Sequence, residues 1–192
     1  VVTSVEDLVA ATAIDIPAQS LIEQLTTVAA IDLAESEPAV SSVGLLTSGQ
    51  TEVFASGSSV YVFDGHAGML AAPEMPVIAD WPAMAIWMPP VTEVARVDMA
   101  AVGGEPAASL RAVGQFEGTL LNRFAVGEQD GFLRAVVQQR ADGHGVVVLE
   151  TQGDTLAVVG SLGGIAADEQ LYAARIVDDR AYFVTFRFTD PL

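Results

Sequence analysis

Leu171-Tyr172-Ala173-Ala174-Arg175-Ile176-Val177-Asp178-Asp179-Arg180-Ala181-Tyr182-Phe183-Val184-Thr185-Phe186-Arg187 is the stretch whose pattern decides the fold. Two alternating apolar runs flank the acidic turn Asp178-Asp179-Arg180, the pattern of a β-hairpin with one buried face. Asp190-Pro191-Leu192 follows, and the chain stops where a further strand is due. A strand–turn–strand pattern of the same kind ends two earlier segments, so the chain reads as a repeat array cut at its end.

Working outward from this hairpin, the sequence divides into three similar units spanning 27–63, 92–138 and 146–186. The first opens with Thr27-Val28-Ala29-Ala30-Ile31-Asp32-Leu33 and closes with Val60-Tyr61-Val62-Phe63 after a Ser56-Gly57-Ser58 turn. The second opens with Thr92-Glu93-Val94-Ala95-Arg96-Val97-Asp98-Met99, turns at Gly103-Gly104-Glu105-Pro106, and continues as Ser109 to Phe116, Leu120 to Val126 and Phe132 to Gln138. Val146-Val147-Val148-Leu149-Glu150 opens the third, which turns at Gly153-Asp154 and ends in the hairpin. Each unit has the pattern of four short strands with Gly, Pro or Asp at the turns. The expected fold is therefore all-β: a β-propeller, with about three four-stranded antiparallel blades of a larger ring. A β-sandwich with coincidental internal likeness is the alternative, and the recurring opening strand favours blades. Residues 1–26 are expected to be the tail of a preceding blade or a short lead-in.

An insertion, 66–90, interrupts the array and holds Met69, Met75, Trp81, Met84, Trp87, Met88 and five prolines. Proline removes backbone donors, so the segment is expected at a blade edge or in a surface loop rather than inside a sheet. Exposed aromatics mark contact surfaces, which makes Trp81, Trp87, Met84 and Met88 the candidate partner contact.

Composition narrows the function classes. Hydrophobic residues are 51% and charged residues 17% of the 192, which excludes a disordered chain. The formal charge is −17, carried against eight Arg and no Lys, so a nucleic-acid phosphate backbone would be repelled. The most apolar run, Val77 to Val91, carries Asp80, Pro82, Pro89 and Pro90 and does not read as a transmembrane helix. With no cysteine, thiol nucleophiles, disulfides and zinc–thiolate sites are excluded from this stretch. The chain begins at Val1 with no basic leader region, so no signal peptide is expected within it.

No residue is nominated as catalytic, cofactor-binding or metal-ligating. His66 and His144 stand apart without ligand spacing, and Gly143-His144-Gly145 reads as a solvated turn. Thioether sulfurs near His66 could serve soft copper, but irregular spacing makes packing the better account. Glu128, Asp130, Asp178 and Asp179 read as hairpin-turn residues, lacking the alternating acidic pattern of a Ca²⁺ loop. Gly160-Ser161-Leu162-Gly163-Gly164 places its serine one position early for a nucleophile elbow. Arg111, Arg123, Arg134, Arg175, Arg180 and Arg187 are expected to pair with carboxylates across strands.

The segments Gly118-Thr119-Leu120-Leu121-Asn122-Arg123-Phe124-Ala125-Val126-Gly127-Glu128-Gln129-Asp130-Gly131-Phe132-Leu133-Arg134 and Arg175 to Arg187, with Asp190-Pro191-Leu192, resemble the bacterial and archaeal secreted β-propeller family distantly related to WD repeats. The likeness runs from about Thr27 to the end. It implies an exported or envelope-anchored protein, and it supplies no catalytic residues or cofactor. Members of that family have sequence on both sides of this region, so the chain is expected to be a fragment, completed by the remaining blades of the same protein or by another chain. The resulting expectation is a non-enzymatic extracytoplasmic binding or scaffold module for a protein or glycan. The alternative is a propeller hydrolase or lyase whose central-channel site lies outside this fragment.

Overall fold

The computed structural model describes residues 14–15, 24–33, 39–66, 89–102, 105–139 and 143–187. Fourteen strands account for most of them: β1 (Ile14–Asp15), β2 (Gln24–Ile31), β3 (Val40–Thr47), β4 (Thr51–Ala55), β5 (Ser59–His66), β6 (Val91–Val102), β7 (Glu105–Glu117), β8 (Thr119–Leu120), β9 (Val126–Gln129), β10 (Phe132–Gln139), β11 (Gly143–Gln152), β12 (Thr155–Ile165), β13 (Gln170–Val177) and β14 (Arg180–Phe186). The all-β expectation is met.

Two antiparallel meanders form the body, one of four strands and one of five. In the first, β4, β5, β6 and β7 pair in chain order. In the second, β12, β11 and β10 pair in succession, and β10 is flanked by the short strands β8 and β9. A brief parallel contact joins the two, with Thr155 opposite Val113 and Leu156 opposite Gly114. One continuous nine-stranded sheet results. It curls on itself, as twisted antiparallel strands do, and alternation sends one set of side chains inward from every strand. Tyr61 and Phe63 of β5, Val94 of β6, Phe116 of β7, Leu133 and Val137 of β10, Leu149 of β11 and Leu156 of β12 form a single buried core.

Each meander carries a cover on its outer face. The β1–β3–β2 sheet lays Val28, Val43 and Leu45 against Val62, Val97 and Ala108. The β13–β14 hairpin lays Leu171 and Ala174 against Val136 and Ala125. The strands the sequence grouped into units are thus arranged differently in the sheets. β2 and β3 belong to a covering sheet, β4 and β5 continue into β6 and β7, and the meanders are cut two strands away from the sequence divisions. The cause is visible at the insertion: His66 pairs with Val91, so strands separated by residues 67–90 are nearest neighbours.

Local chemistry sets the turns. Asp178, with φ 53, opens the two-residue loop between Val177 and its partner Arg180, as the acidic turn in the sequence requires. The segment expected as one strand from Leu120 to Val126 is instead broken. The Asn122 side chain accepts from the Phe124 N–H, nucleating a 3₁₀ turn at Arg123–Ala125 before β9 begins.

Candidate functional site

At the end of the curled sheet opposite the insertion, the inward side chains become polar. Tyr61 is only 1% exposed, and burial obliges its hydroxyl to find a partner. It donates to Glu128 Oε1 at 2.8 Å, joining β5 to β9. Arg96 donates through Nε to Asp98 Oδ1 at 2.7 Å and through Nη1 to the Thr151 hydroxyl at 3.1 Å. Its guanidinium also stands 3.9 Å from Glu128 and 5.8 Å from the centre of the Tyr61 ring. Ser59 adds a hydroxyl donor to Asp98 at 3.0 Å. A bulge between Arg96 and Val97 leaves Arg111 as the extra residue of β7, and from there it reaches Asp98 at 3.9 Å and the Gly153 carbonyl at 2.7 Å.

The electrostatics make this cluster a tie rather than a reactive centre. Burial, then the hydrogen bond and charge of Glu128, raise the Tyr61 pKa far above its ordinary value of 10.0, although Arg96 pulls the other way. Burial works against the Arg96 charge, but the Asp98 hydrogen bond and the surrounding negative groups outweigh it and hold the guanidinium protonated. The phenol therefore stays neutral and committed to one acceptor.

A second feature lies beside it. Among the described residues β4 pairs only with β5, and β9 only with β10, so within them the curled sheet ends in two free edges. Between them opens a cleft of about 500 Å³. Phe54, Arg123, Phe124, Glu128, Arg175 and Asp178 are among its lining residues. The Arg123 N–H reaches Glu52 Oε2 at 3.2 Å across the gap. Phe124 is 60% exposed, with the Arg123 guanidinium 5.1 Å from its ring centre. Among the described residues, neither Arg123 nor Arg175 has a carboxylate within ion-pairing distance. The expectation that the arginines pair with carboxylates across strands holds for Arg111 and, among the described residues, fails for Arg123, which stands in a 3₁₀ turn, and for Arg175, whose cross-strand partner is Tyr182.

The residues singled out in the sequence fall as follows. Trp81, Met84, Trp87 and Met88 lie outside the described residues. His144 is buried on β11 rather than solvated, its Nε2 2.9 Å from the Glu169 carbonyl, and Nδ1 has no partner among the described residues. Asp130 and Asp178 are turn residues with φ 54 and 53. Glu128 is a strand residue of β9, not a turn residue, and is the acceptor of the Tyr61 tie. Its spacing two residues after the apolar Val126 was the available sign that it faces inward. Tyr61 and Arg96 are cross-strand partners on β5 and β6, and Asp98 lies two residues beyond Arg96 on the same face, whereas Thr151 and Glu128 reach them only through the curl of the sheet. No group of three metal-capable side chains occurs among the described residues. No described helix is long and apolar enough to cross a membrane.

The family model described as Beta propeller domain matches residues 2–192. An uncharacterized protein of Archaeoglobus fulgidus is 42% identical over 74 residues, covering 38% of this chain and 12% of that protein. An uncharacterized protein of Methanocaldococcus jannaschii is 36% identical over 85 residues, covering 41% of this chain and 13% of the relative. The matched region is thus a little over a tenth of either relative's length. No solved structure matches the chain.

Proposed function

The chain belongs to the beta propeller domain family, and from that premise we propose that it is a non-enzymatic, extracytoplasmic binding module that holds a protein or glycan partner. The observation carrying this reading is the cleft between β4 and β9, where an exposed aromatic ring and two arginines with no carboxylate partner among the described residues line a cavity of about 500 Å³. Few polar groups converging on a concave surface beside an aromatic is the usual composition of a recognition site. The negative balance of the whole chain argues against nucleic acid as the partner. Placement outside the cytoplasm rests on the resemblance to secreted propellers, and the insertion residues Trp81, Met84, Trp87 and Met88 are a second contact surface under the same reading. A hydrolase or lyase would need an acid or base open to substrate, whereas the buried Tyr61 and its acceptor Glu128 already engage one another.

The test is retention of defined partners on immobilised panels of peptides and oligosaccharides. Wild-type protein should retain at least one class, and Arg123→Ser/Arg175→Ser should lose it with the far-UV circular dichroism unchanged. Equal retention by both proteins removes the cleft from the account. Loss in Trp81→Ser/Trp87→Ser instead moves the contact to the insertion. Protease accessibility on intact cells of the source organism tests the location.

A further inference from the structure

We propose that the occupant of the cleft is an extended, acidic peptide that adds itself as a strand between β4 and β9. The inference rests on the binding-module reading and specifies its ligand.

Strand polarity carries the first step. Antiparallel pairing reverses direction at every step from β4 to β7. The β7–β12 contact is parallel, and reversal resumes from β12 to β9. Counting through, β4 and β9 run the same way. One strand placed between them would run antiparallel to both, the pairing that every neighbour in this nine-stranded sheet except β7–β12 already has. β4 has five residues and β9 has four, so a peptide of four or five residues would meet both edges along their length. Neither edge pairs with the other, and paired strands stand only about 4.8 Å apart, so the gap is wider than one ladder step. Free edges are the template on which peptide strands dock, the main chain supplying affinity and flanking side chains supplying choice.

Charge carries the second step. Arg123 and Arg175 flank the gap, and among the described residues neither guanidinium is engaged by a carboxylate. Glu128 and Asp178 also line the cleft, but Glu128 already accepts from Tyr61 and stands 3.9 Å from Arg96, so the two arginines outnumber Asp178 among the remaining charges of the lining. A peptide carrying carboxylates at alternate positions would place them on one face beside both arginines while its backbone pairs with the edges.

Fluorescence anisotropy with a labelled octapeptide alternating Val and Glu tests this directly. The companion probes are the same peptide with Lys for Glu, the same peptide with Pro at two central positions, and an oligogalacturonate that offers carboxylates without a peptide backbone. The Val-Glu peptide should bind, and Arg123→Glu/Arg175→Glu should weaken it by about tenfold or more, the scale of two lost exposed ion pairs. The Lys and Pro peptides should each bind at least about tenfold more weakly, since one loses the charge match and the other the ladder donors. Hydrogen exchange should show β4 and β9 amides becoming protected only when the Val-Glu peptide is added. Three results would overturn the proposal: no binding of that peptide, equal binding of its Pro form, or full protection of β4 and β9 in the protein alone, which would mean the chain's own residues fill the gap. Oligogalacturonate binding that is lost in the arginine variant, with no peptide binding, defeats the strand proposal while the binding-module reading stands. Failure of every probe defeats both.

Discussion

The two meanders meet twice, once at β7–β12 and once across β4–β9, and the meetings are unlike. At β7–β12 the backbones approach so closely that a Cβ on Gly114 would lie 2.2 Å from the Leu156 carbonyl oxygen. The ladder there is two residues long, yet Leu156 beneath it is fully part of the core. At β4–β9 no ladder forms among the described residues, and side chains tie the two sides: Tyr61 to Glu128, Arg96 to Thr151 and Glu128, and the Arg123 N–H to Glu52. A sheet that closes on one side by backbone and on the other by side chains is rigid at the first junction and adaptable at the second. That difference is why the open junction, not the closed one, is where binding is sought.

The closed junction should be the more fragile under substitution. Gly114→Val forces backbone apart at a place with no flexible side chain to yield, and overpacking of this kind costs about 3 kcal/mol. For a chain of this size that corresponds to a fall in Tm of roughly 6–12 °C in calorimetry. Gly57→Ala, where an added Cβ meets nothing within 4 Å, should leave Tm in place. Equal effects from the two would remove the close approach as the organising feature of the β7–β12 junction.

At the open junction, Tyr61→Phe removes the donor and leaves Glu128 with Arg96 as its remaining partner, at 3.9 Å. A cost of about 1–2 kcal/mol is expected, below that of the glycine replacement. The wild-type protein should also carry a pH signature that the variant lacks. Burial and Glu128 raise the phenol's pKa above 10.0, so above that pH the folded state keeps a proton that the unfolded state has released. Stability is then complete below pH 10 and falls as pH rises, by up to about 1.4 kcal/mol per pH unit. Denaturant midpoints of the two proteins should therefore converge between neutral and strongly alkaline pH. Parallel curves would mean that the phenol titrates alike folded and unfolded.

The two junctions also divide what could be read in the chain from what could not. Local turns were legible: Asp178-Asp179, Asp130-Gly131 and Gly153-Asp154 each carry residues that tolerate left-handed backbone, and each joins two paired strands. Strand existence was legible from alternation. Grouping was not, because pairing of β5 with β6 across residues 67–90 leaves no local mark, and a four-strand repeat has the same period wherever it is cut. The cleft was equally hidden. Arg123 sits after a residue, Asn122, whose side chain caps a 3₁₀ turn, a choice between local hydrogen bond and strand that alternation does not decide. The strand opposite Arg175 is β14 of the hairpin legible in the sequence, with Tyr182 as partner, but that Arg175 borders the gap between β4 and β9 is a property of the curl.

A smaller effect sharpens the contrast from the open side. Gly131 has φ 81 in the turn entering β10, and an added Cβ there would meet nothing within 4 Å. The cost of Gly131→Ala is thus purely conformational, about 1 kcal/mol, and should appear as a drop in Tm of roughly 2–4 °C. A loss as large as that of Gly114→Val would show that the turn anchors β9 more firmly than its single ladder implies.

The smallest effect is expected on the outer face of the terminal hairpin. Its inner face is sealed: Leu171 and Ala174 are 6% and 7% exposed and pack on the second meander. Across the same two strands, Tyr172 and Val184 are 73% and 55% exposed, and Tyr172 has an edge-on contact with Phe186 at 6.2 Å between ring centres. A bulge at Tyr172 lets both Leu171 and Ala174 face inward, and alternation beyond it sends Ala173 and its partner Val184 outward. Apolar side chains already in water forfeit little on removal, and surface changes of this sort stay within about 0.5 kcal/mol. Tyr172→Ser/Val184→Ser should therefore move the Tm of the isolated chain by less than about 2 °C, with an unchanged denaturant slope. A fall comparable to Tyr61→Phe would mean that something within the chain covers this face in solution. In a longer protein carrying further strands beyond this hairpin, the same double replacement should cost several-fold more, because the face would then be buried and each lost contact would count. Comparing the two backgrounds measures how much of the hairpin's outer face is reserved for what packs on it.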